Sequence, residues 1–120
     1  MLVKSERDCV PRTANDGCRI RELLHPANER IELPFSLAIA EVAPGERTYR
    51  HRLRQVEAYY LLQGRGRMRI GGETREVMAG DAVLIPAGEL QWIENHGTEV
   101  LKFAAIVSPA WRAEDDERLD

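Results

Sequence analysis

Long apolar runs are the first thing that the 120-residue sequence lacks. A transmembrane helix needs about 20 consecutive apolar residues, and no run in this chain approaches that length. The first eight residues, MLVKSERD, also lack the apolar core of a signal peptide and carry charges instead. We therefore predict a cytoplasmic protein without a membrane partner.

Cysteine is scarce as well, because Cys9 and Cys18 are the only two in the chain. They do not have the spacing of a metal or redox motif, and a reducing cytosol keeps such residues as thiols. They flank a turn signal at Asn15-Asp16-Gly17, so a facultative bridge between them is geometrically possible. The sequence also contains no nucleophile paired with a base and no glycine-rich phosphate loop. These absences exclude the common covalent and nucleotide-binding enzyme classes.

The sequence also lacks an excess of positive charge. The net charge is −3, whereas a protein that binds a phosphate backbone needs a cationic surface. Arginines do cluster between residues 47 and 54, and we interpret the outward-facing ones as one solvated strand face. The composition therefore predicts no nucleic-acid partner.

What the sequence does contain is a series of short apolar or alternating runs, each closed by turn residues. The predicted strands cover 36–42, 48–53, 57–63, 66–70, 73–77, 82–85, 91–95 and 100–107. Gly71-Gly72 is the sharpest turn, because a two-residue hairpin needs a positive φ. The run at 82–85 is apolar throughout, which predicts a strand covered on both faces. This rhythm predicts an all-β sandwich or jelly-roll barrel in one domain, residues 1–120, with its core at about 36–107.

Two segments are predicted to lie outside that barrel. Residues 18–24 form a leading strand, which we expect to pair across a homodimer because an uncovered edge strand favours aggregation. Residues 113–120 form an acidic tail, helical or frayed, that contributes solubility. Its deletion from residue 114 onward is predicted to change stability by less than about 0.5 kcal/mol.

Two motifs within the barrel resemble those of the cupin family. The first has its residues at Gly45, His51, Glu57 and Gly64, and the second at Gly80, Pro86, Gly88, Gln91 and Asn95. More narrowly, the phrases EAYYLLQG and QWIEN resemble those of small single-domain cupins labelled as mannose-6-phosphate-isomerase-like. The resemblance implies the cupin double-stranded β-helix, a jelly-roll barrel, but it leaves the chemistry open because one fold hosts many functions.

The resemblance also implies where a metal would bind. Cupins typically hold one divalent ion with two histidines and a glutamate from the first motif and a histidine from the second. The matching positions here are His51, Leu53, Glu57 and Gln91. Leu53 cannot coordinate, and Gln91 offers only a weak amide oxygen. The predicted metal site is therefore His51, Glu57 and Gln91, with zinc, nickel, iron or manganese as the ion; the alternative is a hydrogen-bonded polar cluster without metal.

The strand period predicts what surrounds these residues, because side chains two positions apart share a face. The predicted pocket residues are Tyr49, Leu53, Tyr59, Ile93 and Phe103. Tyr59 is a candidate ligand or hydroxyl donor, and its alternative is an aromatic core residue. His25 precedes a proline and is expected at the surface or an interface, whereas Trp111 is expected to cover a barrel end or the dimer seam.

Two functions remain open at this point. The first is an enzyme-like site in which a divalent ion polarises an oxygen of a small sugar-like or organic-acid molecule, without a redox reaction being favoured. The second is a binding protein that has lost its metal and holds such a molecule between polar groups and apolar walls. The presence of Leu53 favours the second function, because it makes the pocket less polar and weakens the binding of an ion.

Overall fold

The computed structural model describes all of residues 1–120 and contains eleven strands. Their bounds are β1 (Arg12–Thr13), β2 (Arg19–Leu24), β3 (Ser36–Val42), β4 (His51–Leu53), β5 (Val56–Gln63), β6 (Arg65–Ile70), β7 (Glu73–Met78), β8 (Ala82–Ile85), β9 (Leu90–Glu94), β10 (Leu101–Ser108) and β11 (Asp116–Arg118). The one α-helix, α1 (Pro26–Glu29), has four residues. No helix here has the length and apolar composition that crossing a membrane requires.

The strands form two antiparallel sheets packed face to face. The first sheet has the order β1-β2-β3-β10-β5-β8, and the second has the order β11-β4-β9-β6-β7. Neighbours such as β3 and β10 are far apart in the chain, so the sheets are built mostly from long-range pairs. The predicted all-β jelly-roll barrel is confirmed, and each of the eight predicted barrel runs contains a strand.

The core lies between the two sheets and follows the alternation of the strands. Buried apolar side chains come from the inner faces of β3, β5, β6, β9 and β10, among them Ala40, Leu61, Met68, Ile93 and Phe103. Turns close the runs as the glycine pattern predicts, and Gly71 takes a φ of 57° in the β6–β7 hairpin. This core fixes which side chains of β4, β5 and β9 point inward, and it thereby positions the candidate site.

The apolar run in β8 departs from its predicted environment. Its middle residue, Leu84, is 68% exposed, so the prediction of a strand covered on both faces is wrong. The reason is that only the inner face of β8, which carries the buried Ile85, packs on the second sheet, while the outer face carries Leu84. Nothing in this chain covers that outer face.

The leading strand has a place within the chain, against our expectation. β2 pairs with β3 in register from Arg19 opposite Glu41 to Leu24 opposite Leu37, with an irregularity near Glu22. The argument that this strand needs a second subunit to pair with is therefore wrong. The two edges of the first sheet are therefore the two-residue strand β1 and, on the opposite side, β8.

The acidic tail is also ordered, and the expectation of a helical or frayed tail outside the barrel is wrong for its last residues. Asp116–Arg118 forms β11, which pairs with β4 from Asp116 opposite Leu53 to Arg118 opposite His51. Beyond it, Asp120 accepts hydrogen bonds from the Arg50 backbone N–H at 2.8 Å and from the Arg50 guanidinium at 2.7 Å. These contacts hold the carboxy terminus against the strand that carries His51.

Candidate functional site

A cavity of about 60 Å³ lies between the sheets at the end of the barrel that the two terminal segments cover. Its inner wall comes from β2, β3, β4, β5 and β10, and its outer wall from the turn before β2, from Trp111 and from β11. A larger open groove of about 590 Å³ borders β7 and β8, but its lining includes none of the predicted site residues. The smaller cavity is therefore the candidate site.

The floor of this cavity is apolar, and its rim is acidic. The floor consists of Ala38, Ala40, Leu53, Phe103, Ala105 and Val107. The lining contains four carboxyl groups, those of Asp16, Glu22, Glu57 and Asp116. Apart from a histidine, Arg12 is the only basic side chain in the lining. The volume admits about four water molecules, or an ion and a very small molecule. Because much of its lining is buried, electrostatic interactions within the cavity are stronger than in bulk water.

His51 is the histidine in this lining, and it is only 3% exposed. Its Nδ1 lies 2.8 Å from the backbone oxygen of Tyr49, and because a carbonyl only accepts, Nδ1 carries the proton. In the neutral ring Nε2 is then the unprotonated nitrogen. It makes no hydrogen bond to the protein and lies 3.9 Å from Oδ2 of Asp16. The ring is therefore oriented with a free lone pair in the cavity.

Glu57, Gln91 and Tyr59 form a hydrogen-bonded chain next to that imidazole. The Gln91 amide donates to Oε1 of Glu57 at 3.1 Å, and the Tyr59 hydroxyl donates to Oε1 of Gln91 at 3.2 Å. The Tyr59 ring is held against Phe103, with ring centroids 4.2 Å apart. The second oxygen of Glu57 makes no hydrogen bond to the protein. The chain thus fixes the Glu57 carboxyl and leaves one of its oxygens free.

Burial changes the protonation of the side chains in this hydrogen-bonded series. It raises the pKa of Glu57 to about 8, with further increases from the charges of Asp16 and Asp116, against the lowering effect of the Gln91 hydrogen bond. Burial likewise raises the pKa of the Tyr59 phenol well above its ordinary value. At neutral pH Glu57 is mostly a neutral acid, so its free oxygen can donate a proton while Nε2 of His51 accepts one.

Most of the predicted site residues meet at the cavity. His51, Leu53, Glu57, Tyr59 and Phe103 all line it. Gln91 is 1% exposed and donates to Glu57, which is the hydrogen-bonded alternative to its role as a metal ligand. Ile93 is fully buried in the core and is not part of the lining.

Tyr49 also lies outside the lining, and its predicted place in the pocket is wrong. Its side chain is 36% exposed and lies under the guanidinium of Arg118, 3.5 Å from the ring centroid. The alternation that should turn it inward fails because its backbone N–H donates to Asp16 at 2.6 Å rather than to a strand partner. Thr48 and His51 are both buried, and two exposed residues separate them. The regular strand begins only at His51.

Sequence reasoning missed the residues that the terminal segments bring to the cavity, namely Asp16, Cys18 and Asp116. Burial raises the pKa of Asp116, and its Oδ1 is buried without a hydrogen-bond partner. Trp111 donates from Nε1 to the other carboxyl oxygen at 3.0 Å and covers the barrel end as expected. The turn signal at Asn15-Asp16-Gly17 marked Asp16, but it carries no information about a site.

The remaining histidines and the cysteines are not at the centre of the site. His25 caps α1 by accepting from the Ala27 N–H, and its Nε2 donates to the Trp111 oxygen at 2.8 Å. It thereby fastens α1 to the segment that covers the cavity. Cys9 and Cys18 are both free thiols, and burial raises the pKa of Cys18 well above its ordinary value.

The residues present fit the metal site implied by the motifs only in part. His51 has the orientation of a metal ligand, because ligating histidines usually donate their other N–H to a carbonyl or carboxylate. The buried oxygen of Asp116 without a partner indicates a further acceptor that lacks a cation or donor. Leu53 and Gln91 do not fit, and no three His, Cys, Asp or Glu side chains already converge as a ligand group.

Comparisons with known proteins agree with this architecture. The family model described as "Cupin domain" matches residues 38–107. An uncharacterised protein of Methanocaldococcus jannaschii is 40% identical over 121 positions, which cover 99% of this chain and 96% of that protein. Among solved structures, a predicted oxalate decarboxylase of Thermotoga maritima has a TM-score of 0.79 at 23% identity over 90% of this chain and 99% of that one. The polyketide cyclase RemF of Streptomyces resistomycificus has a TM-score of 0.83 at 21% identity, over 100% and 86%. At these identities the two structures are similar in fold alone.

Proposed function

The chain belongs to the cupin family, and from that premise we propose that its cavity binds a small polar molecule around a divalent cation held by a reduced ligand set. His51 and Glu57 are the ligands that remain from the family pattern. A cation in this place would supply a Lewis acid that polarises an oxygen of the bound molecule.

One observation supports this proposal above the others, the orientation of His51. The Nδ1–H of His51 donates to the Tyr49 carbonyl, so the lone pair of Nε2 points into a cavity lined by four carboxyl groups. The His51 side chain is only 4% exposed, and its Nε2 has no hydrogen-bond partner in the protein. A cation in the cavity would be bound by that nitrogen and would stabilise the ionised forms of the surrounding carboxyl groups.

The other polar residues of the site act as positioning groups. Gln91 holds one carboxyl oxygen of Glu57 with its amide N–H, and Tyr59 keeps that amide in place by donating to its oxygen. The free oxygen of Glu57 can then reach the cavity. Leu53 and Phe103 exclude water from the floor, so a bound molecule meets these groups in a low-dielectric environment.

The charge of the cavity limits the class of bound molecule. An organic acid would meet carboxyl groups on most sides and only Arg12 as a fixed positive charge, so its binding requires the cation. A neutral sugar-like molecule has no such requirement. We therefore expect a small carboxylate to bind only together with the metal.

A second function is favoured by the protonation of Glu57. With its pKa at about 8, Glu57 is a hydrogen-bond donor at neutral pH, and together with His51 it offers a donor and an acceptor without any metal. In this alternative the chain is a small-molecule-binding cupin that has lost its ion. The two functions differ in one measurable property, the uptake of metal.

Calorimetric titration of metal-free protein with Zn²⁺ and Mn²⁺ tests the proposal. We expect about one ion per chain for the parent and loss of binding in His51→Ala. The matched control is His96→Ala, because His96 pairs with Glu76 on the surface and lies outside the cavity. A second titration adds oxalate, a small dicarboxylate, with and without the bound ion.

The outcomes separate the two functions. Uptake of an ion by the parent and by His96→Ala, but not by His51→Ala, supports the metal site. If the parent takes up no ion at millimolar concentration, the metal proposal fails and the binding alternative stands. Oxalate binding that is equally strong without the ion would contradict the charge argument.

A further inference from the structure

We propose that residues 112–120, which we call the strap, are a hinged cover that separates from β4 to admit molecules to the barrel-end cavity. The strap consists of the 3₁₀ turn Ala113–Asp115, strand β11 and the two residues after it. The inference concerns access to the cavity, so it goes beyond the proposed function and does not depend on what the cavity binds.

The first argument is that the cavity needs an opening. His51 and Glu57 line it but are only 3% and 8% exposed, so its polar groups are closed off from solvent. The wall strands β2, β3, β5 and β10 each lie between two neighbours in the first sheet and cannot separate without disrupting the barrel. Entry therefore has to pass through the terminal segments that form the outer wall.

The second argument is that polar contacts alone hold the strap. None of residues 112–120 is buried. Its attachments are the β4–β11 pairing, the hydrogen bonds between Asp120 and Arg50, and the guanidinium of Arg118 over the Tyr49 ring. A segment without buried apolar side chains opens at a lower free energy than the core strands do.

The other terminal segment at the cavity, the turn before β2, is anchored differently. Cys18 at its end belongs to the hydrophobic core, and Ala14 at its start packs against that core. The Ala14 N–H also donates to the Cys18 oxygen at 2.8 Å, which closes the turn on itself. Of the two segments, the strap is therefore the one that can move while the core stays intact.

The position of the hinge follows from the contacts of Trp111. Its N–H donates to the Ser36 hydroxyl at 2.9 Å, and its oxygen accepts from Nε2 of His25 at 2.8 Å. The backbone is thus fixed on both sides of Trp111. Arg112 is exposed and forms ion pairs with Glu114 and with an aspartate of the same turn, so it is bound only within the strap. The chain can rotate from this residue onward.

The third argument is that the closed strap leaves two acceptors unsatisfied. Oε1 of Gln55 and Oδ1 of Asp116 are both buried without a hydrogen-bond partner. Both lie where the strap meets the barrel, since the Gln55 amide donates to Oδ2 of Asp115 at 2.7 Å. Buried acceptors without a partner carry a desolvation cost, which hydration on opening would remove. The closed state is therefore less favourable than its hydrogen bonds alone would make it.

Cys18 provides the readout of opening. Its thiol lines the cavity, and burial raises its pKa well above the ordinary value, so it should react only when the cavity opens to water. All proteins in the test carry Cys9→Ser, which leaves Cys18 as the only native thiol. The measurement is the rate at which iodoacetamide labels Cys18, followed by mass spectrometry.

The strap is locked by a disulfide in the variant Arg52→Cys/Glu117→Cys, because these exposed residues lie directly opposite each other in β4 and β11. The matched control is Arg67→Cys/Glu76→Cys, which links an opposite pair in β6 and β7 and leaves the strap free. Circular dichroism and a count of free thiols verify the fold and the closure of each disulfide.

We expect the strap disulfide to slow labelling at least about tenfold, and the control disulfide to leave the rate within about twofold. Labelling should also be insensitive to urea below about 1 M, because opening of a short segment exposes little surface. Asp120→Ala, which removes the contacts of the strap with Arg47 and Arg50, should speed labelling severalfold.

Labelling that both disulfides slow equally, or that rises steeply with urea, would show reaction through global unfolding and overturn the strap proposal. A rate unchanged by the strap disulfide overturns it as well. So does a folded protein that stays unlabelled while the urea-unfolded chain reacts. Each result is independent of metal uptake, which the titrations of the proposed function measure separately.

Discussion

The carboxyl group of Glu57 lies where burial opposes its ionisation, and this single residue has consequences for stability. Its pKa is raised to about 8 in the folded chain, whereas an exposed glutamate titrates near 4.3. Between these two values the folded state binds a proton that the unfolded state has released. The free energy of unfolding therefore falls as pH rises through this window, by up to about 1.4 kcal/mol per pH unit.

We predict that Glu57→Gln removes this contribution in the metal-free protein. The amide is neutral at every pH and its oxygen can still accept from Gln91. The stability of the variant relative to the parent should therefore rise steadily between pH 5 and pH 8. Urea denaturation at pH 5, 6.5 and 8 measures the difference.

Glu73→Gln is the matched control for this series, because Glu73 is exposed and its change should leave the difference from the parent constant across the same pH values. A Glu57→Gln curve that stays parallel to that of the parent would show that Glu57 is ionised when buried.

Much of the site could be predicted at the scale of single residues. The motif spacing and the strand period place His51, Leu53, Glu57 and Tyr59 at one cavity, because alternation along a strand is a local property. The period could not place Tyr49, since a hydrogen bond from its backbone to Asp16 interrupts the strand. It also could not show that Gln91 is engaged by Glu57 and Tyr59.

At the scale of elements, the carboxy-terminal strand β11 is a structural part of the barrel. Its three residues pair with β4, and the residues after it add the Leu119 N–H bond to the Arg50 oxygen at 2.8 Å. The hydrogen bonds from Arg50 hold the pKa of the Asp120 carboxyl well below its usual range. We therefore expect the tail to contribute to stability, contrary to the expectation from the sequence.

We predict that deletion of residues 116–120 lowers the free energy of unfolding by at least about 2 kcal/mol, because several hydrogen bonds worth about 1 kcal/mol each are lost. At this chain length the melting temperature should fall by about 4 °C or more per kcal/mol. Differential scanning calorimetry measures the change.

Removal of residues 1–3 is the control at the opposite end of the chain. Met1, Leu2 and Val3 are all at least 51% exposed, so their loss should leave the melting temperature within about 2 °C. Equal melting temperatures for the two truncated chains would show that β11 does not contribute to the stability of the barrel.

At the scale of the whole molecule, the outer face of the first sheet is apolar at its β8 edge. Five exposed apolar side chains lie there, which we call the outer patch: Val56, Tyr60, Leu62, Leu84 and Ile106. They are neighbours across β5, β8 and β10, since Ala58 pairs with both Leu84 and Ile106. Contiguous apolar patches of this kind usually mark an interaction surface.

We predict that the outer patch forms an isologous contact with a second copy of the chain. A two-fold interface places the same patch of both copies in contact. Like charges in such a patch would repel each other, whereas an uncharged apolar patch can pack against its copy. The homodimer thus remains a prediction, now through this face rather than through β2. Light scattering at micromolar concentration should give twice the chain mass of 13.6 kDa.

The variant that tests this interface is Leu84→Lys, which puts a charge at its most exposed residue and should yield a monomer. Met78→Lys is the control, because Met78 is 59% exposed but belongs to β7 of the second sheet. A parent mass of 13.6 kDa at every concentration, or a dimer that persists in Leu84→Lys, would contradict the prediction.

The sequence by itself determined the all-β class, the position of the barrel strands and the inward direction of His51 and Glu57. These properties follow from alternation and from turn residues, which act between neighbours in the chain. Only the tertiary structure decided which segments close the cavity. Asp16 reaches His51 because its backbone oxygen accepts from the Tyr49 N–H, and Asp116 reaches it because β11 pairs with β4, and no local pattern records such contacts. The same reason explains why Leu84 is exposed, since its environment depends on where β8 lies in the sheet.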